Sequence, residues 1–321
     1  MGMFVFLPLV LPLTALPIAR LAEQHLHPRA ATRLLSFVGG VLALCSTLCL
    51  VLLVVVGTAQ LPGNPLPDGW SDPEVRAAVP YDEVAGKAAI GALAVVATGC
   101  VATLVRHVTV RRRAQAALVG MPDSPVAVLP DGKAYAYALP GGPGGPGGPG
   151  GCRARGRIVV STAMLDCLNA RERQALIAHE QAHLAGRHHR YLLVAQLAAR
   201  ANPLLHALRG AVAYCAERWA DEEAAGEVGD RRVMARAVGK AALVSRGTPA
   251  PTLAGFAAPG PVPRRVAALL GPVPPARWWP PAATAAGLAA WIAAAGTAAS
   301  ALSSANAAVA LFLVLQAATP L

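Results

Sequence analysis

Three stretches without a charged residue, 1–19, 34–61 and 88–105, constrain this chain more than any other feature, and 44 further uncharged residues follow Arg277. A helix needs about 20 apolar residues to cross the hydrocarbon core of a bilayer, so each of the three predicts one transmembrane helix. Beyond Arg277, residues 282–300 predict another span. Residues 305–318 then form either a return span, with 303–306 as the turn, or an apolar tail. Composition agrees, because only 14% of the residues are charged, where soluble proteins average about 25%. The first run lacks the basic start and small-residue cleavage site of a secretory signal, and its Pro8, Pro12 and Pro17 lead straight to Arg20. It reads as a retained segment.

Charge in the connecting loops sets an orientation. Residues 20–33 hold three Arg and one acid, residues 62–87 hold five acids and two bases, and Arg106, Arg111, Arg112 and Arg113 follow the third run. Lys and Arg of short loops stay on the cytoplasmic side. The chain is therefore expected to enter from outside, with the first loop inside, the second outside and everything after Val105 inside. Trp278 and Trp279 suit an interfacial anchor before the last span. The formal charge of +11 invites a nucleic-acid reading, but 23 of the 28 Lys and Arg lie in 106–277 beside 11 of the 17 acids. No recognition motif accompanies them, so no direct nucleic-acid partner is expected. None of the six cysteines forms the short-spaced pair of a zinc ribbon or redox motif, and they read as free, mostly buried thiols.

Residues 106–277 suffice for one domain. Its start predicts a β-hairpin, residues 126–129 and 134–138 around Pro130-Asp131-Gly132, with another strand at 157–160. A fourfold Pro-Gly-Gly repeat over 140–151 is too short for collagen and reads as a surface loop. Asn169-Ala170-Arg171-Glu172 then fits a capping box opening a helix. Residues 191–214 are apolar, but Arg200, Arg209 and the Asn202-Pro203 break predict two packed helices rather than a span.

The capped helix carries His179-Glu180-Gln181-Ala182-His183. Histidines four apart share one helix face, where two imidazoles can hold a single zinc ion, with Glu180 placed as general base. Two residues compete as third ligand. His189 fits an extended His-Glu-x-x-His-x-x-Gly-x-x-His spacing through Gly186, which would need a sharp turn there. Glu217 lies one helical turn before Asp221, so that Glu217 could ligate while Asp221 orients a ligand histidine. His188, Arg190 and Tyr214 are open candidates for stabilising a tetrahedral intermediate, with no spacing that selects one.

These residues resemble the integral-membrane antirepressor metallopeptidases of the BlaR/MecR type and, more distantly, the HtpX and CAAX-prenyl protease gluzincins. The resemblance rests on Leu176 to His183, His188-His189, Asn202-Pro203 and the Glu217-to-Asp221 pair, behind three spans where HtpX-like proteases are expected to have two. It implies an α-helical membrane protein with an α+β zincin-like cytoplasmic peptidase domain in a bacterial plasma membrane. Zn2+ would be held by His179, His183 and Glu217, with Glu180 as base and Asp221 behind the ligands; His189 is the alternative ligand. The implied partners are the lipid bilayer and a protein substrate such as a winged-helix transcriptional repressor. No Ser-x-x-Lys motif occurs, so β-lactam sensing is not part of the expectation. The rival readings are a broad-specificity quality-control protease and a non-catalytic signalling protein with a structural zinc.

Overall fold

Proline decides how the first uncharged run folds. The computed structural model describes residues 7–59, 82–141, 156–245, 262–274 and 283–317, with Gly63, Pro67, Trp70 and Pro281. Within them the run is not one regular helix but α1 (Leu7–Val10), a 3-10 turn (Leu11–Thr14) and α2 (Ala15–His25). Pro12 has no N–H to give the Pro8 carbonyl. That carbonyl accepts instead from the Ser46 hydroxyl at 2.7 Å. The Asn202 amide donates to the Leu9 carbonyl at 3.3 Å and to Ser46 Oγ at 3.0 Å, so buried polar groups from three distant segments satisfy one another.

Among the described residues three helices are long and apolar enough to cross a membrane: α3 (Pro28–Ala59), α4 (Asp82–Ala116) and α11 (Ala285–Ala317). Pro28 stands at the first helical position of α3, where its fixed φ and missing donor cost nothing. Next, α3 and α4 cross at a glycine pair, since a Cβ on Gly57 would lie 2.5 Å from the Gly86 backbone. Continuous through 303–306, where the sequence offered a turn, α11 has no proline to interrupt it. Leu44, Val95 and Phe312 are exposed on these helices, as side chains facing lipid would be. Most of the expected second loop and of the Pro-Gly-Gly repeat lies outside the described residues.

The expected hairpin is overturned. The strands β1 (Val126–Leu129), β2 (Ala136–Leu139) and β3 (Arg157–Ser161) form a sheet in the order β1-β3-β2, with β3 parallel to β1 and antiparallel to β2. Neighbours in sequence are thus separated in space by β3. The reason is burial: Ile158, Val159 and Val160 are all inaccessible, and a strand apolar on both faces belongs in the centre. The connection after β1 is pinned to the next helix, α5 (Thr162–Asp166). There the Asp131 carbonyl accepts from the Thr162 hydroxyl at 3.2 Å and the Ala163 N–H at 3.3 Å.

Five helices follow: α6 (Ala170–Ala185), α7 (His188–Ala201), α8 (His206–Val228), α9 (Arg231–Val244) and α10 (Val262–Leu270). The capping box is present, with Glu172 N–H donating to Asn169 Oδ1 at 2.9 Å and Asn169 N–H to Glu172 Oε2 at 3.0 Å. As the Asn202-Pro203 break predicts, α7 stops at Ala201 and α8 restarts at His206. Leu35 and Leu42 on α3 pack with Ala195 and Ala198 on α7 and with Leu208 and Val212 on α8, which ties the membrane-length helix to the helix that carries Glu217.

Candidate metal centre

Small residues bring the two chemical helices together. Ala175 and Ala178 on α6 pack with Ala224 and Ala225 on α8, and with Val233 and Met234 on α9. His179 and His183, one turn apart on α6, thereby face Glu217 and Asp221, one turn apart on α8. His179 Nε2 lies 3.1 Å from His183 Nε2. Glu217 completes a triangle, with Oε2 3.5 Å from His179 Nε2 and Oε1 3.4 Å from His183 Nε2. Ligands bound tetrahedrally to zinc at about 2.0–2.1 Å stand about 3.3 Å from one another. Two imidazoles and one carboxylate with this spacing fit zinc. Among the described residues His179, His183 and Glu217 are the group able to hold a metal.

Behind the triangle, Asp221 is fully buried, with Oδ1 3.1 Å from His179 Nδ1. A carboxylate there fixes the ring so that Nε2 faces the ligand position. Buried carboxylates need a counter-charge, and Arg265 on α10 supplies it. Its Nε and Nη2 donate to Asp221 Oδ2 and Oδ1 at 2.8 and 2.6 Å, and Nη1 reaches Glu217 Oε2 at 2.8 Å. Burial pushes the Glu217 and Asp221 carboxyls up, but Arg265 and then the histidines hold both below the usual range. For His179 burial disfavours the proton; the hydrogen bonds to Asp221 and Glu217 outweigh it and hold the metal-free ring up to about 10.

His183 is held differently. His188, wholly buried, places its Nδ1 2.8 Å from His183 Nδ1. Burial, then the neighbouring His183, pushes the His188 ring down to about 2, so it is neutral. A metal held by His183 Nε2 would leave the proton on His183 Nδ1, for His188 Nδ1 to accept. The His188 ring packs at 4.4 Å on Trp219. Gly186 makes this arrangement possible, because a Cβ there would fall 2.4 Å from His188 Nε2.

Glu180 is buried on α6, next in sequence to His179. His189 stands apart from the triangle: Arg187 adopts a left-handed turn (φ 52°), after which α7 directs His188 towards His183. His189 is instead pushed down to about 4 by burial and by Arg111, Arg190, His107 and Arg187 around it. Of the residues left open for transition-state stabilisation, His188 sits behind His183, Tyr214 is packed under Arg264 at 4.3 Å, and Arg190 lines a separate cavity.

Sequence reasoning missed Arg265 and the role of His188. A signal for Arg265 existed: on α10 it shares a face with Leu269, four residues on, and both are buried while Arg264 is exposed. An arginine on the apolar face of an amphipathic helix requires a buried acid.

Residues 105–213 match the family model described as Peptidase family M48, which supports a zinc-dependent metallopeptidase. The matched stretch includes His179, Glu180 and His183 and ends before Glu217, so Glu217 rests on the geometry just described. No curated protein and no solved structure matches the chain.

Proposed function

We propose that this chain is an integral-membrane zinc endopeptidase of the gluzincin type, with its peptidase portion at the cytoplasmic face of a bacterial plasma membrane. The observation that carries the reading is the triangle of His179, His183 and Glu217 with Glu180 adjacent on the same helix. When bound, zinc supplies a Lewis acid and an acidified water for hydrolysis of a peptide bond. Glu180 would serve as the general base, its carboxylate moving a proton from the attacking water to the leaving amine. Asp221 and His188 hold the two ligand imidazoles in the tautomer that leaves Nε2 free for the metal. A substrate strand can add to the outer edge of β2, an edge strand among the described residues that packs against α6.

Regulatory cleavage of a transcriptional repressor is the function we infer for this site. Its support is the resemblance of the sequence to antirepressor peptidases and the packing of α3 on α7 and α8, which joins a membrane-length helix to the site. The test is Glu180→Gln in the full chain, purified in detergent and co-expressed in cells with a candidate winged-helix repressor. Zinc content is expected to equal that of the wild type, while cleavage falls at least about 100-fold. Full cleavage by Glu180→Gln would remove the peptidase mechanism. Accumulation of many misfolded membrane proteins, with the repressor intact in both strains, would replace the regulatory reading with quality control.

A further inference from the structure

A cavity of about 400 Å³ opens between the start of α3, the turn joining α6 to α7, and α8. Four arginines line it: Arg29 and Arg33, one helical turn apart on α3, and Arg187 and Arg190 from the other wall. Trp219 forms part of the lining, with the Arg29 and Arg33 guanidinium carbons each 5.3 Å from its ring centroid. Glu223 is the one acid in the lining and is engaged by the Trp219 indole N–H at 2.7 Å. Glu222, on the same helix, is taken by Arg218 and Arg231. The lining thus brings four guanidinium groups and one carboxylate to one concave space. Planar guanidinium forks match the oxygens of a phosphate group, so a concave lining this rich in them suits that anion.

Position narrows the source of that phosphate. Arg29 and Arg33 lie in the first two turns of a helix that is long and apolar enough to span a membrane, the level at which headgroups sit. We propose that this cavity binds the phosphate group of an anionic phospholipid. The occupant would share a wall with the metal centre, because the Trp219 ring that lines the cavity also packs on His188.

The test uses the full chain in a neutral detergent, with native mass spectrometry during titration of phosphatidylglycerol, phosphatidylcholine or inorganic phosphate. Phosphatidylglycerol should bind the wild type, and Arg187→Gln/Arg190→Gln should weaken it at least tenfold. Arg112→Gln/Arg113→Gln, which removes two arginines outside the cavity, should change it less than twofold. Arg29→Gln tests the opposite wall, so the proposal stays open to refutation if the double variant fails to accumulate. Inorganic phosphate bound with the same arginine dependence while the lipid is not would keep a phosphate site and reject the lipid source. Equal binding by all variants, or equal binding of phosphatidylcholine and phosphatidylglycerol, would overturn the proposal. Lipid retention is read without zinc or proteolysis, so its failure is distinct from failure of the peptidase reading.

Discussion

His179 and His183 stand one turn apart on α6, yet the protein supports them in opposite ways. Behind His179 is a charged assembly, Asp221 clamped by two hydrogen bonds from Arg265. Behind His183 is a neutral one, a buried imidazole packed on Trp219. Formal charge gives a reason for the asymmetry. With zinc bound, Glu180, Glu217 and Asp221 would bring three negative charges to the site, and Arg265 and the ion three positive. A carboxylate behind His183 would leave one negative charge buried without a partner, whereas a neutral ring fixes the tautomer without adding charge.

The comparison breaks most visibly at Arg265. Arg265→Met strands Asp221 and Glu217 without their cation, and thermal unfolding of the metal-free protein should show a loss of about 3–5 kcal/mol. Arg265→Lys should recover only part of it, since an ammonium cannot reproduce the fork on Asp221 while also reaching Glu217. Next in size, Asp221→Asn should weaken zinc binding about 100-fold and His188→Phe about 10-fold, the upper and lower ends expected for groups that orient metal ligands. The order matters more than either value, because charge-assisted hydrogen bonds are the stronger kind. Competition with a zinc chelator measures both, and a larger effect at His188 would refute the distinction drawn here.

The smallest effect belongs to a control at the far end of α6. Glu172 is buried and pairs with Lys240 at 2.7 Å. Burial pushes its carboxyl up, but the hydrogen bonds from Lys240 and the Asn169 backbone hold it below the ordinary 4.5. A carboxyl lowered on folding adds stability that is complete above its unfolded pKa and disappears as pH falls through the folded one. Glu172→Gln should therefore cost about 1 kcal/mol at neutral pH, in line with loss of a helix cap. The gap to the wild type should close on acidification, with zinc affinity unchanged. Thermal melts at pH 7 and pH 3.5, with a chelator competition beside them, check all three.

How much of this was legible in the sequence follows the same divide. Residues one helical turn apart announce themselves by spacing, which is how His179, His183, Glu217 and Asp221 were readable as two pairs before their helices were seen to face each other. Arg265 acts across 44 residues from Asp221, and no local period links them. His188 was visible as a histidine, but its direction depends on the left-handed backbone of Arg187 and the missing side chain of Gly186. Strand positions were read correctly while their partners were not, because alternation marks a strand and only burial on both faces places β3 in the middle. The proline-broken first run shows the same limit, since its carbonyls are satisfied by Ser46 and Asn202 from far along the chain.

Zinc content of three purified proteins, the wild type, Glu217→Ala and His189→Ala, tests the central claim most directly. The geometry predicts about one zinc per chain in the wild type and in His189→Ala, with zinc lost from Glu217→Ala. Zinc retained by Glu217→Ala and lost from His189→Ala would contradict the account and move the third ligand to α7.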